Sequence, residues 1–177
     1  MILFLTGMPG AGKTTLGKRW AMPHHFSSAD LDAMIAASYG APVADIFRQE
    51  GEDAFRLLER QVLEAAVNIH VAGGLIIACG GGTPCYHNNT EWMKRHGTVI
   101  WLQVPVHVLT EQIWNDTHNK RPLLLRYTTK AALHGHLDDL LALRQPYYMQ
   151  ADHEIEVNDK IDSKFVALLN QLGYKNE

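Results

Sequence analysis

The chain has 177 residues, 46% apolar and 20% charged, with a formal net charge of −3; this is enough for one sizeable core and short for two, so a single domain over 1–177 is expected. The charge balance and the lack of a basic run argue against a nucleic-acid partner, and no apolar stretch nears the roughly 18 residues of a membrane helix. Met1–Thr6 is too short for a secretion signal, and the only cysteines, Cys79 and Cys85, have neither zinc-ligand nor disulfide spacing, so a reduced, cytoplasmic and monomeric protein is expected.

The apolar run Ile2–Leu5 lacks polar alternation, as in a strand buried on both faces of a parallel sheet. Directly after it, Gly7-Met8-Pro9-Gly10-Ala11-Gly12-Lys13-Thr14 fits G-x-x-x-x-G-K-[ST] and leads into a helix expected from about Lys13 to Ala21. The residue types suit a nucleotide phosphate. Glycines let backbone N–H groups converge on phosphate oxygens, and the helix N-terminus adds donors and partial positive charge. Gly10, Ala11, Gly12, Lys13, Thr14 and Thr15 are therefore candidates to bind a nucleotide, with Lys13 directed at the β- and γ-phosphates and the Thr14 hydroxyl at Mg²⁺; the loop alone does not separate a kinase from a GTPase, a motor or a passive binder.

The short segment Phe26–Ala29 precedes Asp30-Leu31-Asp32. In an extended backbone the i, i+2 spacing turns both carboxylates to one face, where phosphoryl transfer needs one acid near Mg²⁺ and another near the attacking hydroxyl. The competing reading is a helix N-cap before Met34–Ser38. A long helix is expected from about Glu52 to His70, with Phe55, Leu58, Val62, Ala65, Ala66 and Ile69 on its apolar side. Arg56 falls in its first two turns, where the helix dipole disfavours a cation. Either an anionic ligand or a carboxylate such as Glu59 compensates, or the side chain is solvated.

Leu75–Cys79 reads as another buried strand, ended by Gly80-Gly81-Gly82; bare glycines there allow a ligand close to the backbone, or make a flexible turn. A strand over Val99–Leu102 and a helix from Val106 to about Trp114 follow. The polar, turn-rich segment Asn115–Thr129 reads equally as an ordinary loop or a closing lid. A helix from about Lys130 to Gln145, a strand near Glu154–Val157 and a helix over Asp162–Leu172 complete the alternation, which implies an α/β fold with the ligand along the strand C-terminal ends.

The loop Gly7–Thr14, the Asp30/Asp32 pair, Asp45-Ile46-Phe47 leading to Gly51-Glu52 and Phe55-Arg56, the glycine triplet, Arg121-Pro122-Leu123-Leu124, and Arg144 before Tyr147-Tyr148 together resemble the shikimate kinase family over nearly the whole chain. The resemblance implies a P-loop kinase fold with a five-stranded parallel sheet of order 2-3-1-4-5, flanking helices, an acceptor-binding region over about 31–60 and a mobile lid over about 115–130. It implies phosphorylation of the 3-hydroxyl of shikimate by MgATP. By similarity, Lys13, Asp32 and Arg121 are catalytic, with Asp32 as base or orienter and Arg121 closing over the nucleotide phosphates. Asp30 holds Mg²⁺ through water beside Thr14, while Arg56, Arg144, Gly81 and Asp32 bind shikimate. Other P-loop metabolite kinases, acting on gluconate or a nucleoside monophosphate, and a non-catalytic nucleotide-binding regulator are the alternatives. Two departures stand out: Trp114 occupies the place of a lid arginine that packs on adenine in many members, and Ala78-Cys79 replaces a Ser or Thr often found before the triplet.

Overall fold

A computed structural model describes residues 1–69, 71, 73–116 and 127–174. Strands β1 (Ile2–Thr6), β2 (Phe26–Asp30), β3 (Gly74–Ala78), β4 (Thr98–Gln103) and β5 (His153–Glu156) form one sheet of order β2-β3-β1-β4-β5, and every neighbouring pair is parallel. The expected strand order is the observed one. Parallel neighbours need crossovers, which the helices supply: α1 (Lys13–Ala21), α2 (Leu31–Tyr39), α3 (Val43–Ala66), α4 (Asn89–His96), α5 (Val106–Asn115), α6 (Lys130–Tyr148) and α7 (Ile161–Gln171).

Alternate residues of each central strand serve opposite faces. Leu3, Leu5 and Ile76 pack with Trp20 of α1, Leu109 of α5, Leu133 and Leu137 of α6 and Phe165 of α7. Phe4, Leu75 and Ile77 pack on the other side with Ile35 of α2, Phe55 and Leu63 of α3 and Met93 of α4. Burial on both faces explains the continuous apolar runs of β1, β3 and β4.

Chain order places the first connection, β1-α1-β2, so that β3 lies between β1 and β2, while β4 lies on the other side of β1. The order therefore switches beside β1, and the crevice beyond the strand C-termini opens there. The loop after β1 and the glycine turn after β3 lie side by side and both line it.

Several boundaries differ from expectation. Helix α3 starts at Val43, nine residues before the expected Glu52, because two helical segments join across Gly51, whose φ of 82° lies in the left-handed region. It stops at Ala66, and His70 lies outside the described residues. Helix α6 runs through Pro146 to Tyr148 rather than ending at Gln145. Helix α4 escaped the sequence reading because its eight residues are mostly polar and too short to display a period.

Candidate active site

The phosphate loop takes the shape its glycines permit. Gly7, Gly10 and Gly12 have φ of 132°, 87° and 81°, a region other residues rarely adopt. Gly12 caps α1, and among the described residues no side chain occupies that helix N-terminus, leaving its N–H groups for an anion. Lys13 is buried, and its Nζ donates to the carbonyls of Gly7 at 2.8 Å and Met8 at 2.9 Å, which holds the ammonium over the loop. Ala11 is packed into the core while its N–H donates to Met8 O at 3.1 Å. Thr15 is exposed one residue further along α1.

Thr14 Oγ1 donates to Asp30 Oδ2 at 2.5 Å, and Asp30 Oδ1 accepts from the N–H of Ala33 at 3.0 Å. Asp30 thus caps α2 and also reaches the phosphate loop, so the two sequence readings of this residue coexist. The premise of an extended pair is corrected: Asp30 ends β2, whereas Asp32 already lies in the first turn of α2. They still share a cavity of about 700 Å³, bounded by Gly10, Lys13, Thr14, Gly80, Gly81, Trp114 and Tyr127 among others. A smaller space of about 530 Å³ adjoins it, sharing Gly12, Thr15 and Gln112. The Thr14 and Asp30 oxygens fit Mg²⁺, a hard cation that takes one or two protein oxygens with phosphate and water completing the shell.

The glycine turn draws the acceptor-side residues together. A Cβ built on Gly80 would lie 3.0 Å from Asp32 Oδ1 and 3.0 Å from Glu59 Oε1; on Gly81, 2.9 Å from Arg144 Nη1; on Gly82, 2.6 Å from Arg56 Nη2. The triplet is needed for close approach of the protein's own charged side chains, a requirement of space rather than of φ. Tyr148 fixes this turn by donating to Gly81 O at 2.6 Å. It lies one turn beyond Arg144 on α6, and that i, i+4 spacing was the available signal for a role the sequence reading did not give it.

Arg56 is buried rather than solvated. Its Nη1 donates to Glu59 Oε2 at 2.8 Å, while Nε and Nη2 donate to Glu52 Oε1 at 3.3 and 3.1 Å. Burial opposes its charge, but the adjoining Glu59 carboxylate and the bonds to Glu59 and Glu52 outweigh burial and hold the guanidinium above its ordinary value. Glu59, only 1% exposed, also accepts from Thr83 Oγ1 at 2.5 Å. Three of the five N–H groups of Arg56 are thereby engaged by carboxylates. Glu52 and Thr83 were missed as functional supports: Glu52 precedes Arg56 by four residues on α3, a local spacing that could have found it, whereas only folding brings Thr83 and the glycine turn against α3.

Residues 9–172 match the family model described as shikimate kinase. The chain belongs to the shikimate kinase family. A curated shikimate kinase from Thermosynechococcus vestitus is 41% identical over 155 residues, covering 88% of this chain and 79% of the relative. Among solved shikimate kinases, that of Bacteroides thetaiotaomicron superposes with a TM-score of 0.88 at 32% identity, covering 98% of each chain. The shikimate kinase from Acinetobacter baumannii, in complex with shikimate, gives 0.81 at 31% identity, covering 99% of this chain and 95% of the other.

Trp114, which the resemblance marks as a departure, borders the cavity and is 43% exposed. Cys79 is a buried free thiol whose Sγ lies 3.7 Å from Met93 Sδ, and burial, with Glu59 nearby, pushes its ionisation far up; it packs in the core just beyond the end of β3 as a small apolar group. Arg121, with Pro122, Leu123 and Leu124, lies outside the described residues.

Proposed function

We propose that this chain transfers the γ-phosphoryl group of ATP to the 3-hydroxyl of shikimate, giving shikimate 3-phosphate and ADP on the route to chorismate and the aromatic amino acids. The observation that carries this reading is the gathering of Asp32, Arg56 and Arg144 on the Gly80–Gly82 turn, where a Cβ built on Gly81 would also lie 3.0 Å from Pro9 of the phosphate loop. Two guanidinium groups suit one organic carboxylate, and a carboxylate nearer the phosphate loop suits an alcohol.

Arg56 and Arg144 from α6 grip the shikimate carboxylate, and Gly81 lines the ring through its backbone. Fixing the acid aims one hydroxyl at phosphorus. Asp32 orients that hydroxyl and accepts its proton as the oxygen bonds to the γ-phosphorus. The bond from phosphorus to the β,γ-bridging oxygen breaks, and ADP leaves with the electron pair. Lys13 exchanges its contacts with the loop carbonyls for phosphate oxygens and stabilises their charge in transit. Mg²⁺, held by Thr14 and through water by Asp30, supplies further neutralisation of the phosphates. Arg121, outside the described residues, is assigned to the same task by the family resemblance.

The chain is read as one catalytic domain over 1–177, with the acceptor region over 31–60, working as a cytoplasmic monomer. No described helix is long and apolar enough to cross a membrane. ADP formation with MgATP and, in turn, shikimate, gluconate, AMP, CMP or no acceptor tests the reading. ADP should appear with shikimate alone; turnover with another acceptor, or with none, overturns it.

A further inference from the structure

Tyr86 has no part in the roles above, yet it touches the buried acceptor-side cation in two ways. Its ring lies against the Arg56 guanidinium with Cζ 4.2 Å from the centroid, nearer than the rings of Phe55 at 5.2 Å and Phe47 at 5.6 Å. Its hydroxyl donates at 2.8 Å to Glu52 Oε1, the same oxygen that accepts from Arg56 Nε and Nη2. We infer that Tyr86 is a positioning residue that sets the tilt and rotation of the Arg56 guanidinium, and through it the affinity for the acceptor carboxylate. The inference rests on the shikimate reading of the site.

A guanidinium aimed at a carboxylate has to be fixed both in plane and in rotation. The hydrogen bond from Nη1 to Glu59 leaves the fork able to pivot about that nitrogen. Glu52 stops the pivot, but its side chain is 51% exposed, and an exposed carboxylate holds a partner weakly by itself. The Tyr86 hydroxyl anchors Glu52, and the same hydrogen bond is the foremost influence keeping the Glu52 carboxyl below its ordinary range, and so charged toward Arg56. The ring supplies the other restraint by packing against the cation, with Arg56 Cζ over it. Tyr86 follows directly on the short 3-10 turn Thr83–Cys85, so its contacts tie the glycine turn to α3, the two elements between which the fork lies.

Steady-state kinetics on the full chain test the inference. Tyr86→Phe, which keeps the ring and loses the hydroxyl, should raise the KM for shikimate roughly 3- to 10-fold, and Tyr86→Leu should raise it further. The KM for ATP and kcat should stay within about twofold, the pattern of lost acceptor binding rather than general disorder. Because the hydroxyl works through Glu52, Tyr86→Phe should add little in a Glu52→Ala background. An unchanged shikimate KM in Tyr86→Leu, or equal losses for both substrates, overturns the assignment. A second readout needs no turnover: exchange of the Arg56 Nε–H, followed by ¹⁵N NMR, should be slow in the wild type and at least about tenfold faster in Tyr86→Leu. Should the wild type form no ADP with shikimate, the substrate reading fails on that result alone. The exchange rates then decide Tyr86, and equal rates in the two proteins sink it.

Discussion

Replacing Gly82 by alanine tests whether the glycine turn exists to admit Arg56. Gly82 has φ −93° and ψ −13°, so the backbone accepts alanine and the whole effect is steric. The new methyl would lie 2.6 Å from Arg56 Nη2, 2.9 Å from Nη1 and 3.0 Å from Cζ. Ordinary contact is about 3.5 Å, so the guanidinium must retreat by roughly 0.9 Å. It is held on the other side by Glu59 at 2.8 Å and by the half-exposed Glu52 at 3.1 Å, and moving it weakens above all the buried charge-assisted bond to Glu59, of about 1.5–3 kcal/mol. Overpacking costs of this kind run at about 1–3 kcal/mol, or a fall in Tm of roughly 2–10 °C for a chain this long. A shift near 1 Å in a substrate-positioning group costs up to on the order of 100-fold in rate, so the shikimate KM should rise at least about tenfold while the ATP KM moves little. Gly135→Ala is the matched control: Gly135 lies inside α6 with no described atom within 4 Å of a built Cβ. That change should stabilise by about 1 kcal/mol and leave kinetics alone. Thermal unfolding and acceptor titrations measure both. If Gly82→Ala also stabilises and leaves the shikimate KM unchanged, the steric argument for the triplet is wrong.

Asp32→Asn should reduce kcat by roughly 10²- to 10⁴-fold while shikimate binding changes far less; turnover near the wild-type rate removes Asp32 from the chemistry. The cysteines should label in order. Cys79 is buried with its ionisation pushed far up, whereas Cys85 is half-buried and, although burial also raises it, Arg144 and Arg56 pull the other way. Peptide mass spectrometry after brief iodoacetamide treatment should find Cys85 modified at least about tenfold faster, with comparable rates only after unfolding. For Glu52, the hydrogen bond from Tyr86 and the bonds from Arg56 lower the folded carboxyl below its ordinary 4.5 against opposing burial. A lowered carboxyl contributes stability above its unfolded value and loses it as pH falls through the folded one. Urea unfolding should therefore show Glu52→Gln less stable than wild type at pH 7, with the gap closing below about pH 4.5; a gap independent of pH counts against the ion pair.

By itself the sequence determined whatever depends on neighbouring residues. Apolar runs without alternation marked β1, β3 and β4, because strands covered on both faces need no polar side. The phosphate loop was legible because its glycines, lysine and threonine act within eight consecutive positions on one strand-to-helix turn. The acceptor side was legible only as a family resemblance, and the local geometry offered for the aspartate pair did not hold, since the backbone turns helical between Asp30 and Asp32. Tertiary structure alone decided that Arg56 is buried between Glu52 and Glu59, that Thr83 and Tyr86 support those carboxylates, and that Tyr148 holds the glycine turn. These partners lie up to 67 residues apart in the chain. The sheet joins them by placing β3 beside β1, and no local period encodes a contact made across a crossover.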